Sequence, residues 1–242
     1  DLTQFSRNGN EIAFGTIGNA SCAEGVFWEA INAAGVLQVP MLISVWDDGY
    51  GISVPNEVQV TKGSISELLE GFRRVPGGST GYEIDVVRGW DYPALIATYE
   101  RTAAIVRREH VPAVVHVTEL TQPHGHSTSG SHERYKSAER LRWEKDRDGL
   151  TRFRSWILDQ GIASAAELEA AEEEEGRSVR DARDAAWEAY QAPIVAERDE
   201  VDAMLEAMSS AGAPESIDAI RRDLARRRDP LRRDLAVAVH QA

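Results

Sequence analysis

Cysteine occurs once in the 242 residues, at Cys22, which excludes an internal disulfide framework and any zinc site built from cysteines within one chain. No apolar run reaches membrane-spanning length, and no charged start followed by a short apolar stretch marks a secretory signal. A reducing, cytoplasmic setting fits both, and a membrane partner is not expected. Positive charge is also short, with 27 Lys and Arg against 40 Asp and Glu and a net charge of -13. Nucleic-acid binding needs an excess of cations to displace phosphate counterions, so that class is set aside. The basic cluster at residues 226–228 is too small to reverse this balance. The first residue is Asp1 rather than methionine, and a strand-like segment follows almost at once, as expected of a processed product or a piece of something longer.

What is present is enough apolar content, 42%, to bury one sizeable core plus an appendage. The pattern changes near Ala138. Before it, short Val- and Ile-rich runs alternate with helical stretches, which predicts βαβ units and a mostly parallel α/β sheet. A buried strand is expected at residues 12–17, and further strands at 41–45, 82–87 and 113–118. Ser21 with Glu24 three positions on reads as a capping box that opens a helix over residues 22–34, with Gly35 as its stop. Asp91 is placed to cap a helix running to about Arg108. After Ala138 the reading is helical throughout: residues 138–145, 149–160, 164–190 with a break near Gly176, 194–209, and 214–240 with a break at Pro230. Residues 172–175 are a run of four glutamates, expected to be a solvated helix face. The expected domains are residues 1–137 and a helical C-terminal region, residues 138–242.

Chemistry is expected at two strand tips. The turn Gly18-Asn19-Ala20-Ser21 ends the first strand with small residues, which lets an anion approach backbone N–H groups. The second strand ends at Trp46-Asp47-Asp48-Gly49-Tyr50-Gly51. Ligands of open parallel sheets sit beyond the carboxyl ends of the strands, so these two segments should share one rim. An amide oxygen, a carboxylate and a backbone carbonyl are hard donors of the kind magnesium takes, with phosphate oxygens and water completing its shell. The long loop over residues 119–137 is rich in His, Ser and Gly, and loops of that length tend to be functional. Its histidines, His124, His126 and His132, fit no common zinc spacing.

The stretch from Gly18 to Pro55 resembles the thiamine diphosphate fingerprint, which opens with Gly-Asp-Gly and closes with Asn-Asn. It is most similar to the alpha chain, or the alpha portion of a fused alpha/beta chain, of the decarboxylating component of 2-oxo acid dehydrogenase complexes. The resemblance implies the thiamine-diphosphate-binding fold, with Asn19, Asp48 and the Tyr50 carbonyl as magnesium ligands and Gly18, Asn19, Ala20 and Ser21 against the diphosphate. The loop Gln122-Pro123-His124-Gly125-His126-Ser127 resembles the family's His-Gly-His-Ser loop, which makes His126 the candidate catalytic and cofactor-contacting histidine. Tyr135 matches a tyrosine that follows it, and Ser127 matches a serine phosphorylated in mitochondrial relatives.

Three positions depart from the fingerprint: Asn19 stands for Asp, Ala20 for Gly, and Asp47-Asp48 for Asn-Asn. Between positions 19 and 48 an amide and a carboxylate have traded places, so the set of ligands keeps one carboxylate and its oxygen count, and the metal site is expected to be retained. The resemblance further implies oxidative decarboxylation of a 2-oxo acid, acyl transfer to a lipoyl domain of the acyltransferase component, and a beta subunit or fused beta domain supplying the glutamate that activates the cofactor. The N-terminal part of the alpha chain is then expected to be absent here. Likeness weakens to about Pro193, beyond which only a charged helical extension is read. Pyruvate, branched-chain 2-oxo acids and 2-oxoglutarate all stay open as substrates. Two alternatives stay open as well: a transketolase-like thiamine enzyme, and a non-catalytic regulatory subunit with a degenerate site.

Overall fold

The computed structural model describes residues 6, 9–75, 78, 80–126 and 131–242. By its contacts the chain divides into two compact units, residues 1–163 and residues 164–242. The change of sequence character at Ala138 therefore marks where strands give way to helices, inside the first unit.

The first unit is built on four parallel strands, β1 (Ala13–Gly18), β2 (Met41–Trp46), β5 (Glu83–Arg88) and β6 (Ala113–Thr118), and each expected strand lies within one residue of these bounds. Their order across the sheet is β1-β2-β6-β5. Helix α1 (Gly25–Leu37) carries the chain from β1 to β2, and α4 (Tyr92–Glu109) carries it from β5 to β6. Between β2 and β5 lie a small antiparallel hairpin, β3 (Tyr50–Gly51) and β4 (Val54–Pro55), and two short helices, α2 (Asn56–Gln59) and α3 (Ile65–Leu68). Helices α5 (Ala138–Asp146) and α6 (Gly149–Asp159) close the unit.

Central position explains the composition of β6. Its side chains alternate between two cores: Val114 joins Phe27, Ile31, Val45, Ile65 and Tyr82 on one face, while Ala113, Val115 and Val117 join Leu42, Val87 and Val106 on the other. The single polar residue in that run, His116, shares the Val114 face and is 1% exposed. Strand β1 corrects the expectation of burial. As an edge strand it has one lateral neighbour, and five of its six residues are exposed.

The start of α1 is a second correction. Ser21 and Glu24 do not form a capping box. Instead residues 20–23 make a 3-10 turn, closed by Cys22 N–H to Asn19 O (3.1 Å) and Glu24 N–H to Ser21 O (3.2 Å). Glu24 is extended, and α1 begins at Gly25. Cys22, fully buried, anchors the turn to the core. Gly35 does not stop the helix either; it runs two residues further to a left-handed Gln38 (φ 50°). Asp91 does cap α4, accepting Ala94 N–H at 3.1 Å.

The second unit contains α7 (Ala165–Ser210), α8 (Ser216–Ala225) and α9 (Arg232–Gln241), packed around Ile194, Leu224, Leu235 and Ala238. Helix α7 is continuous over 46 residues, which overturns the expected breaks near Gly176 and before Ile194. Glycine costs a helix about 1 kcal/mol without ending it, and Ile194 beside Pro193 is buried firmly enough to hold the helix through the proline. Residues 172–175 are exposed, as a solvated face should be. The break at Pro230 is present, between α8 and α9. Arg227, from the basic cluster, pairs with Asp223 and Asp234 inside this unit. Among the described residues, no helix is long and apolar enough to cross a membrane.

Candidate functional site

Because β1 and β2 are neighbours in parallel register, with Gly18 opposite Trp46, the Asn19 turn and the Asp47–Gly51 segment leave the same edge of the sheet side by side. Asn19 N–H donates to Trp46 O at 3.1 Å and so pins the turn to the neighbouring strand's end. Side chains complete the junction. Asn19 Nδ2 donates to Tyr50 O (3.0 Å) and to Asn56 Oδ1 (2.7 Å). Asp48 Oδ1 accepts Tyr50 N–H at 3.0 Å. Asn19, Asp48 and Tyr50 are thus gathered by direct hydrogen bonds, although Asn19 and Tyr50 stand 31 positions apart.

Small residues make this approach possible. A Cβ on Gly51 would lie 2.7 Å from Ala20 Cβ, so the two loops touch through a glycine. A Cβ on Gly18 would meet nothing within 4 Å, so the turn is open there. Gly49 takes a positive φ of 84°, which L side chains rarely adopt, and this lets Asp48 and Tyr50 fold back on each other.

Electrostatics separate the two adjacent aspartates. Burial alone would raise the pKa of Asp47. A hydrogen bond from His116, the N–H of Gly49 and the amide of Asn56 outweigh burial and hold it below the usual carboxylate range. Asp48 is pushed up, chiefly by burial, against smaller opposing effects of Tyr50 N–H and Lys136. Among the described residues Asp48 has no ion-pair partner, and Lys136 and the Tyr50 N–H offset its burial only in part, a setting in which a cation is favoured. An amide oxygen, this carboxylate and a carbonyl whose second lone pair is not used by Asn19 suit a hard divalent ion. Asn19 turns its NH2, not its oxygen, toward Tyr50.

Beside this cluster lies a cavity of about 270 Å³ lined by Asp47, Gly49, Tyr50, Asn56, His116 and Arg140, with Asn19 and Asp48 outside its lining. Arg140 donates to Asp48 O (2.7 Å) and to Glu144 (2.8 Å), and Glu144 also takes Lys136 Nζ at 2.8 and 3.0 Å. Lys136 sits 4.9 Å from the centre of the Tyr50 ring, and Tyr135 packs on the same ring at 5.6 Å. Burial, followed by the nearby Asp48 and Glu144 charges, raises the Tyr135 pKa, against a smaller opposing effect of the His126 backbone N–H. The His126 backbone thus lies near Tyr135, which packs on Tyr50, with the His126 side chain itself exposed. Ser127 lies outside the described residues. Ser21 is exposed and Ala20 half-buried beside Gly51. Among the described residues, no group of three or more His, Cys, Asp and Glu is placed to hold a metal ion.

Sequence reasoning misses His116, Ser66, Asn56, Lys136 and Arg140. A lone histidine in an otherwise apolar strand is the available signal for the first. Nothing in spacing announces the others, which come from α3, α2, the segment leading into α5 and α5 itself through tertiary packing.

In open parallel α/β sheets ligands bind beyond the carboxyl ends of the strands, which is where this polar site lies. The chain is a member of the Dehydrogenase E1 component family, which it matches over residues 2–195. It is 30% identical over 218 residues to the 3-methyl-2-oxobutanoate dehydrogenase subunit alpha of Mycobacterium tuberculosis (strain CDC 1551 / Oshkosh), covering 89% of this chain and 54% of that protein. It is 28% identical over 164 residues to the pyruvate dehydrogenase E1 component subunit alpha of Rickettsia prowazekii (strain Madrid E), covering 68% and 47%. With the mitochondrial 2-oxoisovalerate dehydrogenase subunit alpha 2 of Arabidopsis thaliana it shares 30% over 145 residues, covering 60% and 29%. The chain thus spans about half, or less, of the length of these relatives.

Proposed function

We propose that this chain is the alpha portion of the decarboxylating component of a 2-oxo acid dehydrogenase, and that it seats the diphosphate of thiamine diphosphate with Mg2+. The observation that carries the reading is the convergence of Asn19, Asp48 and the Tyr50 carbonyl at one rim, with Asp48 buried and without an ion pair among the described residues. In this reading those three oxygens hold the metal, and Gly18, Ala20 and Ser21 lie against the diphosphate, where Gly18 leaves open space. When bound, thiamine diphosphate supplies a carbon nucleophile for the 2-oxo group and a sink for the electrons left as carbon dioxide departs. The chain's own part is electrostatic and positional. Asp48 offsets the ion's charge, the Arg140 bond to its carbonyl fixes the loop, and His126 offers a proton donor to a phosphate or a substrate carboxylate.

Proton chemistry on the cofactor is assigned to a beta subunit or fused beta domain, and acyl transfer to a lipoyl domain. The first is inferred from the relatives' names, which specify a subunit alpha, and the second from the family resemblance alone. The domain reading that follows is a cofactor half over residues 1–137 and a helical region beyond it. Isothermal titration of thiamine diphosphate with Mg2+ into the chain assembled with its beta portion should give saturable heat, lost in Asp48→Ala. Absence of saturable heat in the complete assembly would defeat the reading.

A further inference from the structure

Behind the rim runs an unbroken line of buried polar side chains. His116 Nδ1 accepts from Ser66 N–H at 3.4 Å and lies 2.9 Å from Ser66 Oγ, which places its proton on Nε2, facing Asp47 Oδ2 at 2.9 Å. Asp47 Oδ1 accepts Gly49 N–H at 2.8 Å. Asn56 Nδ2 lies 2.9 and 3.0 Å from the two Asp47 oxygens. Asn56 Oδ1 accepts from Asn19 Nδ2 at 2.7 Å. Asn19, Asp47, Asn56 and His116 are all at most 6% exposed, and Asn56 Oδ1 takes one further, longer bond from Gln59 Nε2 at 3.3 Å.

A carboxylate accepts and does not donate, so Asn56 must turn its NH2 toward Asp47. An amide has one oxygen, so the other end of Asn56 presents an acceptor to residue 19. Asn19 answers with its own NH2, and its Oδ1 is thereby turned away from Asn56. We infer that Asp47 and Asn56 are positioning residues that dictate which end of the residue-19 side chain faces the rim, and that asparagine at 19 and aspartate at 47 function only as a pair. This rests on the proposed cation seat. It also explains why this chain departs from the thiamine fingerprint at both positions at once. With aspartate at 19 and Asp47 unchanged, a carboxylate oxygen would meet the Asn56 oxygen. With asparagine at 47 as well, most of the line finds partners again: the new amide at 47 donates to Asn56 Oδ1, Asn56 donates to the new carboxylate at 19, and His116 moves its proton to Nδ1 to serve Ser66 Oγ. The bonds from residue 19 to Tyr50 O and from Ser66 N–H to His116 Nδ1 are not restored.

Simple charge counting predicts the opposite, since an added carboxylate at 19 should bind a cation more tightly. The test is a mutant cycle in the assembled protein, with Mn2+ affinity in the presence of thiamine diphosphate read by electron paramagnetic resonance and urea midpoints read in parallel. Asn19→Asp should weaken Mn2+ binding at least tenfold and lower the urea midpoint. Adding Asp47→Asn to that variant should recover part of both. Tighter Mn2+ binding by Asn19→Asp, or additive effects in the double variant, would overturn the inference. If the wild-type assembly binds no Mn2+, the functional reading fails by itself, and the order of the urea midpoints alone then supports or overturns the pairing.

Discussion

Lys136 and Glu144 form an ion pair in which each side chain is 1% exposed, with Nζ 2.8 and 3.0 Å from the two carboxylate oxygens. Arg140 joins it at 2.8 Å and reaches on to the Asp48 carbonyl. A buried pair gives little net stability over an apolar replacement, because desolvation offsets attraction, but losing one partner strands a charge. Glu144→Gln should lower the unfolding free energy by about 3–5 kcal/mol in urea titrations. The double variant Lys136→Met with Glu144→Leu should lie closer to wild type than the single one. Near-neutral behaviour of Glu144→Gln would mean that water reaches the pair.

Gly51 is required by its neighbour rather than by its backbone angle. An added Cβ would stand 2.7 Å from Ala20 Cβ and 2.6 Å from the flexible end of Gln59. Gln59 can move, whereas Ala20 is fixed in its turn. Gly51→Ala should therefore cost about 1–3 kcal/mol, and Ala20→Gly in the same chain should recover part of that. Thermal unfolding midpoints of the two single variants and the double decide it. Equal midpoints for Gly51→Ala with and without Ala20→Gly would show that the contact is not the cause.

Cys22 is buried, and burial, reinforced by the Asp47 charge, pushes its thiol up to about 12. An unfolded cysteine ionises at about 8.5. Between these values the unfolded chain has released a proton that the folded chain still holds, so stability should fall as pH rises above about 8.5 toward 12, by at most about 1.4 kcal/mol per pH unit from this group. Cys22→Ala should remove that component of the alkaline slope. In the native protein at about pH 8, just below the free thiol's range, Cys22 should resist Ellman's reagent and should react once urea unfolds the chain.

Helix α7 carries Pro193 in its interior. Proline has no N–H, so Ala189 four residues earlier loses its helical partner. Pro193→Ala should raise the stability of the second unit by about 1–3 kcal/mol, and Gly176→Ala by about 1 kcal/mol. At Gly176 the nearest neighbour of an added Cβ is the flexible Arg180 guanidinium at 3.5 Å, so space does not oppose the change. Slower amide exchange across the middle of α7 is the expected signature in each case.

Strands were the most legible part of the fold, because β2 and β6 sit inside the parallel sheet as apolar runs with one meaning, and edge strand β5 still buries Ile84 and Val87. Helix starts were less so. Ser21–Glu24 and Ser164–Glu167 have the same spacing, yet only the second forms a capping box, with Glu167 N–H to Ser164 Oγ at 3.3 Å and the return bond at 2.8 Å. At Ser21 the buried Cys22 draws the chain into a tight turn first, a tertiary demand that local spacing does not encode. At the rim, Asn19, Asp48 and Tyr50 could be named because strand tips carry them. Asn56 and His116 act by the direction of their hydrogen bonds, which only the folded neighbourhood defines.

Asn19 meets Tyr50 and Asn56 across 31 and 37 positions of chain, yet those meetings are enforced by the adjacency of β1 and β2. The entropy of closing those loops is spent in forming the sheet, before any small molecule arrives. Association at this rim should consequently leave the polypeptide's heat capacity almost unchanged, in contrast to recognition that must first organise its receptor.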